Sequence, residues 1–400
     1  MRALRITVQS VFLIGTVALL ARGLAGATPN TCETYCPFGG LVALYPLARY
    51  RAYACALTEF NVALLVSVVL LAIVSKKSFC GWVCPLGTVQ EWIGRLGEKG
   101  LGRRCRVSEK ADGRLRYLRY AVLVAIPVLT YTAWQFDLGF RAYDPFYILF
   151  TWGGHETNAA SPYIVVGVLV AAALTPLFWC RYLCPLGAAL DPFSRAGALR
   201  VRRDAETCTD CGLCDKACPH RIRVSGVEQV TASDCTNCLE CLQACPEKGT
   251  LELSWYGKLT VALRRPKPRG VIPREVLMKK ALVIPVAIAL LILLAYVTSN
   301  AYRVPTAKIS FTNERPESVA TVVFEVSGLK CRGTANLFAQ QIGELPGLVS
   351  FVAYARTRTA IVEYDPGRTD PQAIREAFER PVEYDGNTYE VFRALSQESG

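Results

Sequence analysis

Eight cysteines fall into two runs of one pattern. The first is Cys208, Cys211, Cys214 and Cys218, followed by Pro219; the second is Cys235, Cys238, Cys241 and Cys245, followed by Pro246. Both read C-x2-C-x2-C-x3-C-P. Three thiolates at this spacing wrap one corner of an iron–sulfur cubane, and the fourth, displaced by the next turn, reaches the other cluster. On that rule Cys208, Cys211, Cys214 and Cys245 hold one [4Fe–4S] cluster, and Cys235, Cys238, Cys241 and Cys218 hold a second. Zinc sites use paired C-x2-C without the third Cys and the Cys-Pro ending. Disulfides do not suit a cytoplasmic domain. Two adjacent clusters with no open coordination position form a wire and leave no place for substrate chemistry.

A shorter pattern occurs three times. Cys32 and Cys36, Cys80 and Cys84, and Cys180 and Cys184 each stand in C-x3-C-P, followed by Phe or Leu and then Gly. If a helix persists through the pair, the i,i+4 spacing puts both thiols on one face. The proline then suits the first turn of a new helix and the glycine a tight bend. The amphipathic stretch 88–96 is expected to lie at a membrane interface. Cys80, Cys84, Cys180 and Cys184 are expected to converge around a further metal centre; redox thiols or small packed side chains are the alternatives. Cys32, Cys36 and Cys55 form an outer set, read as a disulfide or redox pair, an electron exit, or a site completed by Cys55. Cys105 has no neighbouring Cys, and His220 is read as flanking a cluster without ligating it.

The elements that position these residues are membrane helices. Just over half of the chain is apolar (52%) and its net charge is +12. Five stretches approach the ~20 residues needed to span a bilayer: 6–24, 60–75, 117–134, 163–179 and 281–298. Lys and Arg crowd 76–116 and 180–280, which places these on the cytoplasmic side and leaves 28–58, 135–162 and everything after 298 outside. The same bias accounts for the positive charge without nucleic acid. At the N-terminus, Arg2, Arg5, an apolar run and Ala25-Gly26-Ala27 also fit a cleavable signal, although the length of the run favours a retained anchor. Segment 264–270 is a basic, Pro-broken linker expected to meet anionic head groups. There are 17 Cys but 2 His and 2 Met. His155 and His220 lie outside every span, which argues against a transmembrane haem pair, and two Met cannot make a copper path. No span carries an interior charge of the kind an ion pathway needs.

Residues 318–395 read as strand, helix, strand, strand, helix, strand, with strands at 320–326, 349–355, 359–364 and 388–391 and helices at 335–343 and 371–378. With Gly328-Leu329-Lys330-Cys331-Arg332-Gly333-Thr334 in the first loop, this order resembles the heavy-metal-associated domain family. That family holds soft metal with C-x2-C in this loop, and here Thr334 takes the second Cys position. One thiolate does not supply the two-sulfur site that Cu(I) favours. Cys331 stands open between a lone soft-metal ligand, a metal shared with a partner, and an inert residue of a docking domain, the last being favoured.

The doubled run resembles the bacterial two-cluster ferredoxins over 203–252. Twin C-x3-C-P motifs on membrane helices followed by such a domain resemble the membrane polyferredoxins over about 30–250. That family includes quinol-linked subunits of periplasmic nitrate reductase, membrane regulators of nitrous oxide reductase, and cupric reductases of oxidase assembly. The outer segments lack an S-G-A-T-type flavin-attachment sequence, which disfavours a covalent-flavin regulator. The resemblance implies a plasma (inner) membrane protein moving electrons from a cytoplasmic donor or the quinone pool to a periplasmic acceptor or metal-handling protein. The expected fold is a multi-pass α-helical membrane protein of about five spans, with an inserted α+β two-cluster ferredoxin domain and a C-terminal βαββαβ domain. Its boundaries are a membrane domain at 1–202, the ferredoxin domain at 203–252, a linker at 253–280, the fifth span at 281–299 and the last domain at 300–400. A Cu(II) reductase using the C-terminal module is the alternative. A metal transporter is disfavoured by the lack of His, Met and charge in the spans. No residue in the spans bridges the inner and outer cysteines, a gap that a quinone could fill.

Overall fold

The computed structural model describes residues 2–24, 36–50, 59–101, 107–132, 139–151, 157–247, 249–255, 274–301, 305–312, 318–329, 332–354, 357–384 and 387–399. Cys32, Cys55, Cys105, His155 and Cys331 lie outside the described residues. The chain divides into two compact units, 1–38 with 64–295 and 39–63 with 296–400.

The first half is helical: α1 (Arg2–Leu24), α2 (Pro37–Tyr50), α3 (Glu59–Ser75), α4 (Ser78–Trp82), α5 (Pro85–Leu101), α6 (Glu109–Leu115), α7 (Leu118–Thr132), α8 (Pro145–Thr151), α9 (Ser161–Leu174), α10 (Phe178–Tyr182), α11 (Pro185–Ala189) and α12 (Asp191–Ala196). Among the described residues, two stretches are long and apolar enough to cross a membrane, Arg2–Arg22 and Ala281–Thr298; Glu59–Ser75 and Ser161–Leu174 are apolar but shorter. The stretch expected at 163–179 is broken. Thr175, which precedes Pro176, is extended, and Leu177 is left-handed, because the proline ring disfavours helix in the residue before it.

The same physics decides the C-x3-C-P turns. The helix does not persist through either described pair: α4 ends at Trp82 and α10 at Tyr182. Cys84 and Cys184 precede prolines and stand between two helices. Cys184 is extended and becomes the N-cap of α11. The amphipathic stretch expected at 88–96 belongs to the longer helix α5. The segment 135–162, expected as an outer loop, contains α8, whose Phe146 and Phe150 pack in one cluster with Cys84, Leu86 and Trp179.

The cysteine runs follow in the same unit. An antiparallel pair, β1 (Leu199–Arg203) with β2 (Leu251–Trp255), closes the segment that holds them, and short helices α13 (Leu213–Ala217) and α14 (Glu240–Ala244) lie between. The strands extend the expected 203–252 boundaries by a few residues at each end. A long helix, α15 (Arg274–Ala301), contains the last apolar stretch.

The second unit carries a five-stranded antiparallel sheet. Its elements are β3 (Ala307–Ser310), β4 (Ala320–Ser327), α16 (Arg332–Ile342), β5 (Leu348–Tyr354), β6 (Thr359–Tyr364), α17 (Pro371–Phe378), a β7–β8 hairpin (Val382–Tyr384, Asn387–Tyr389) and β9 (Arg393–Ser399). The strand order is β3-β5-β6-β4-β9. Phe338 of α16 stacks between Phe351 and Phe378 at 5.0 and 4.6 Å, which fixes both helices on one face of the sheet. The closing strand is β9, not 388–391, and β3 is an edge strand that the sequence reading lacked.

Candidate iron–sulfur sites and the thiols beside them

The two runs fold alike. Asp210 and Asn237 occupy equivalent positions and are both left-handed, as are Gly212 and Leu239. Leu239 accepts a conformation that costs roughly 1–2 kcal/mol for a residue with a Cβ, and it is fully buried there.

These turns leave two hollows. Cys208, Cys211, Cys214 and Cys245 line one of about 340 Å³, together with Arg203 and Thr250. Cys218, Cys235, Cys238 and Cys241 line the other, of about 360 Å³, together with His220 and Asn237. Each hollow thus brings together three thiols of one run and the last thiol of the other. Cys211 is exposed, whereas Cys214, Cys218, Cys235 and Cys241 are buried.

The chemistry of the walls fits an iron–sulfur core. Burial pushes the Cys218 thiol up to about 12 and the Cys235 thiol up to about 11, and Cys238 adds to both. Thiols so placed ionise only against compensating positive charge, which metal supplies. The amide of Ile222 donates to Cys218 Sγ at 3.4 Å. The buried His220 Nδ1 has no partner among protein atoms, and burial first of all pushes the imidazole down to about 3, so it is neutral. An N–H in that wall is suited to a sulfur acceptor. Among the described residues no three or more His, Cys, Asp or Glu are grouped to hold one metal ion.

The second hollow is pressed against α4. The Trp82 indole donates to the Asn237 carbonyl at 3.0 Å, the Lys77 amide to the Cys235 carbonyl at 3.3 Å, and Asn237 Nδ2 to the Ser75 carbonyl at 2.9 Å. A Cβ on Gly81 would lie 2.9 Å from the Thr236 side chain, so only glycine permits this approach. A buried ionic network fastens the same face. Asp234 accepts from Arg119 at 2.5 Å, Arg116 at 2.5 Å and Lys77 at 3.3 Å. Asp191 takes Lys77 at 2.7 Å, Arg119 at 2.8 Å and the Tyr120 hydroxyl at 2.5 Å. Burial alone would raise Asp234; the Lys77 and Arg119 charges outweigh it and hold the carboxyl well below its usual range. The sequence reading had Lys77 and Arg116 only as loop charges and Arg119 inside the span expected at 117–134.

Cys80, Cys84, Cys180 and Cys184 are neighbours at the ends of α4 and α10. Burial raises the Cys180 thiol, and Cys184, Cys84 and Cys80 raise it further. Gln90 Nε2 donates to Cys180 Sγ at 3.4 Å, and the Gly187 amide donates to Cys184 Sγ at 3.4 Å. Of the outer set only Cys36 is described, directly before α2.

The comparisons agree with this division. The family described as a 4Fe-4S binding domain matches residues 59–104 and again 157–204, the two segments that carry the Cys80–Cys84 and Cys180–Cys184 turns. The 4Fe-4S dicluster domain family matches 200–249. YccM of Escherichia coli, a protein named for electron transport, is 33% identical over 212 residues, covering 51% of this chain and 58% of that protein. Protein MJ0750 of Methanocaldococcus jannaschii, named as uncharacterized, is 33% identical over 166 residues, 41% of this chain and 67% of that protein. The ferredoxin-type protein NapH of Haemophilus influenzae is 29% identical over 170 residues, 41% of this chain and 54% of that protein. The chain thus spans between about half and two thirds of the length of these relatives. No solved structure matches. On its doubled cysteine run, its two matched domain families and these relatives, the chain belongs to the polyferredoxin-type family of iron–sulfur electron-transport proteins.

Proposed function

We propose that the chain is a membrane-anchored electron-transfer protein that passes electrons from a cytoplasmic donor or the quinone pool toward a periplasmic acceptor. Cys208, Cys211, Cys214 and Cys245 hold one [4Fe–4S] cluster; Cys218, Cys235, Cys238 and Cys241 hold the other. Bound there, each cluster supplies reversible one-electron storage. The single observation that carries the reading is the arrangement of the two hollows. One ends at the exposed Cys211, where a soluble donor can approach, and the other abuts α4 and the Cys80–Cys84 turn. Names among the relatives, electron transport for YccM and ferredoxin-type for NapH, support the same reading.

The four thiols Cys80, Cys84, Cys180 and Cys184 are the next station, as ligands of a further centre. Their mutual proximity and the match of a 4Fe-4S binding family over both segments support this. The spans are α1, α3, α7, α9 and α15, with the ferredoxin segment cytoplasmic and the C-terminal unit outside. That unit's βαββαβ order, with β9-β4-β6-β5 as neighbours, supports a heavy-metal-associated-like fold. With Thr334 in place of a second Cys, it serves to dock the acceptor.

Low-temperature EPR of the anaerobically purified, dithionite-reduced full chain tests the reading. Two interacting cubane signals are expected, with more than about eight iron per chain if the thiol quartet also binds iron. A protein that instead contains zinc and gives no reduced-cluster signal would sink the proposal.

A further inference from the structure

Helix α1 carries Arg5 and Gln9 one turn apart, near the start of its apolar run. A simple anchor leaves such groups to head groups or water. Here both are buried, at 3% and 1% exposure. Arg5 Nε donates to the Gly81 carbonyl at 3.0 Å, and Gln9 Nε2 donates to the same oxygen at 3.1 Å. The remaining Arg5 nitrogens pair with Glu91 and, at 2.9 Å, with Glu240 Oε1. Gln9 Nε2 also reaches Glu91 at 3.1 Å, and Arg95 meets both acids at 2.6 Å.

The partners are what give this clamp meaning. Gly81 lies inside the Cys80–Cys84 turn, and Glu240 lies between Cys238 and Cys241. One guanidinium therefore holds the thiol turn and the loop of the second hollow together. Two cations, Arg5 and Arg95, face two anions, Glu91 and Glu240, so loss of Arg5 leaves one uncompensated negative charge beside Cys238.

We propose that α1 is a working part of the electron-transfer core and that Arg5 is a positioning residue, tying the Cys80–Cys84 turn to the membrane-facing cluster loop and favouring reduction of the cluster held there. The proposal rests on the ligand assignment made above. Reduction adds one negative charge to the cluster, and a buried cation nearby stabilises that state through low-dielectric surroundings. A helix serving only as anchor or as a removable leader has no such effect.

The test uses the full chain, with the reduction potential of each cluster read by EPR on redox-poised samples. Arg203, which interacts with Cys208, marks the other cluster. Arg5→Gln is expected to lower one potential and Glu240→Gln to raise the same one. Arg203→Gln is expected to lower only the other, and Arg5→Lys to remain near wild type, all at unchanged iron content. Unmoved potentials in both Arg5→Gln and Glu240→Gln overturn the proposal, as does an intact mass showing that the mature protein lacks α1. Should Arg5→Gln fail to accumulate, an unmoved potential in Glu240→Gln overturns it alone. A wild-type chain without any reducible cluster overturns the ligand assignment itself, an outcome distinct from unmoved potentials.

Discussion

The indole of Trp82 and the carbonyl of Asn237 are joined by a 3.0 Å hydrogen bond, made across 155 residues of sequence and wholly out of solvent. Trp82 stands in one redox motif and Asn237 in another, so this bond is also the point where the two cysteine-bearing loops meet. Trp82→Phe keeps most of the apolar contact and strands the carbonyl. A buried acceptor left without a donor costs about 1–3 kcal/mol. We expect the temperature at which cluster absorbance is lost to fall in Trp82→Phe, with iron content at low temperature unchanged. An unaltered midpoint would show that the contact contributes nothing.

Crossed ligation makes a different prediction from ligation run by run. If Cys245 serves the hollow of Cys208, changing both to Ser disables one cluster and leaves about four of the about eight ferredoxin-segment iron atoms. Cys208→Ser with Cys218→Ser disables both, although those two residues share a run. Iron analysis with EPR on the two double variants separates the schemes, since ligation within runs gives the opposite result.

How much of this was legible from sequence depends on how local each cause is. The grouping of the eight ferredoxin cysteines into two sets was readable because their spacing within each turn is local. The C-x3-C-P pairs were readable as pairs, but whether a helix runs through them was left conditional, although the signal was present: Pro85 and Pro185 disfavour helix at Cys84 and Cys184. Pro176 cut the span expected at 163–179 in the same way. Lys77, Arg116 and Arg181 were read by sign alone, as cytoplasmic loop charge, and Arg119 fell inside the span expected at 117–134. The partners of Lys77, Arg116 and Arg119 lie 114 to 157 residues away in several contacts, which no periodicity reveals. Strand β9, Arg393–Ser399, is largely polar because it is an edge strand, and so carries little of the alternation that marked the strands inside the sheet.

The Asp234 hub and an exposed pair in the same unit should respond very differently. Asp234 binds Lys77, Arg116 and Arg119 with its side chain 8% exposed. Removing one partner of a buried ionic group strands the others, at about 3–5 kcal/mol. The Arg223–Glu109 pair is 72% and 82% exposed, where solvent screening leaves such pairs with little net effect. Asp234→Asn is expected to lower the thermal midpoint markedly and to increase protease cleavage between the membrane helices and the cluster segment. Glu109→Gln should match wild type in both measurements. Equal behaviour of the two variants would mean the hub does not fasten the segment.

Gly87 and Gly187 occupy the same place in their two motifs, three residues after the second Cys and inside the helix that follows, yet the structure gives them opposite signs. A Cβ on Gly87 would lie 2.6 Å from the Cys80 carbonyl oxygen, whereas one on Gly187 would lie 3.4 Å from the Cys180 carbonyl oxygen, an ordinary contact. Within a helix, replacing Gly by Ala gains roughly 0.5–1 kcal/mol from backbone entropy. At Gly187 nothing opposes that gain. At Gly87 the backbone of the thiol turn must move, and overpacking of this kind costs typically about 1–3 kcal/mol. Gly187→Ala is therefore expected to leave the thermal midpoint unchanged or raise it, and Gly87→Ala to lower it. The close approach at Gly87 also bears on chemistry, because displacing the Cys80 carbonyl displaces the Cys80 thiol with it. If the thiol quartet ligates iron, Gly87→Ala loses part of that iron while both ferredoxin-type EPR signals persist, and Gly187→Ala retains all of it.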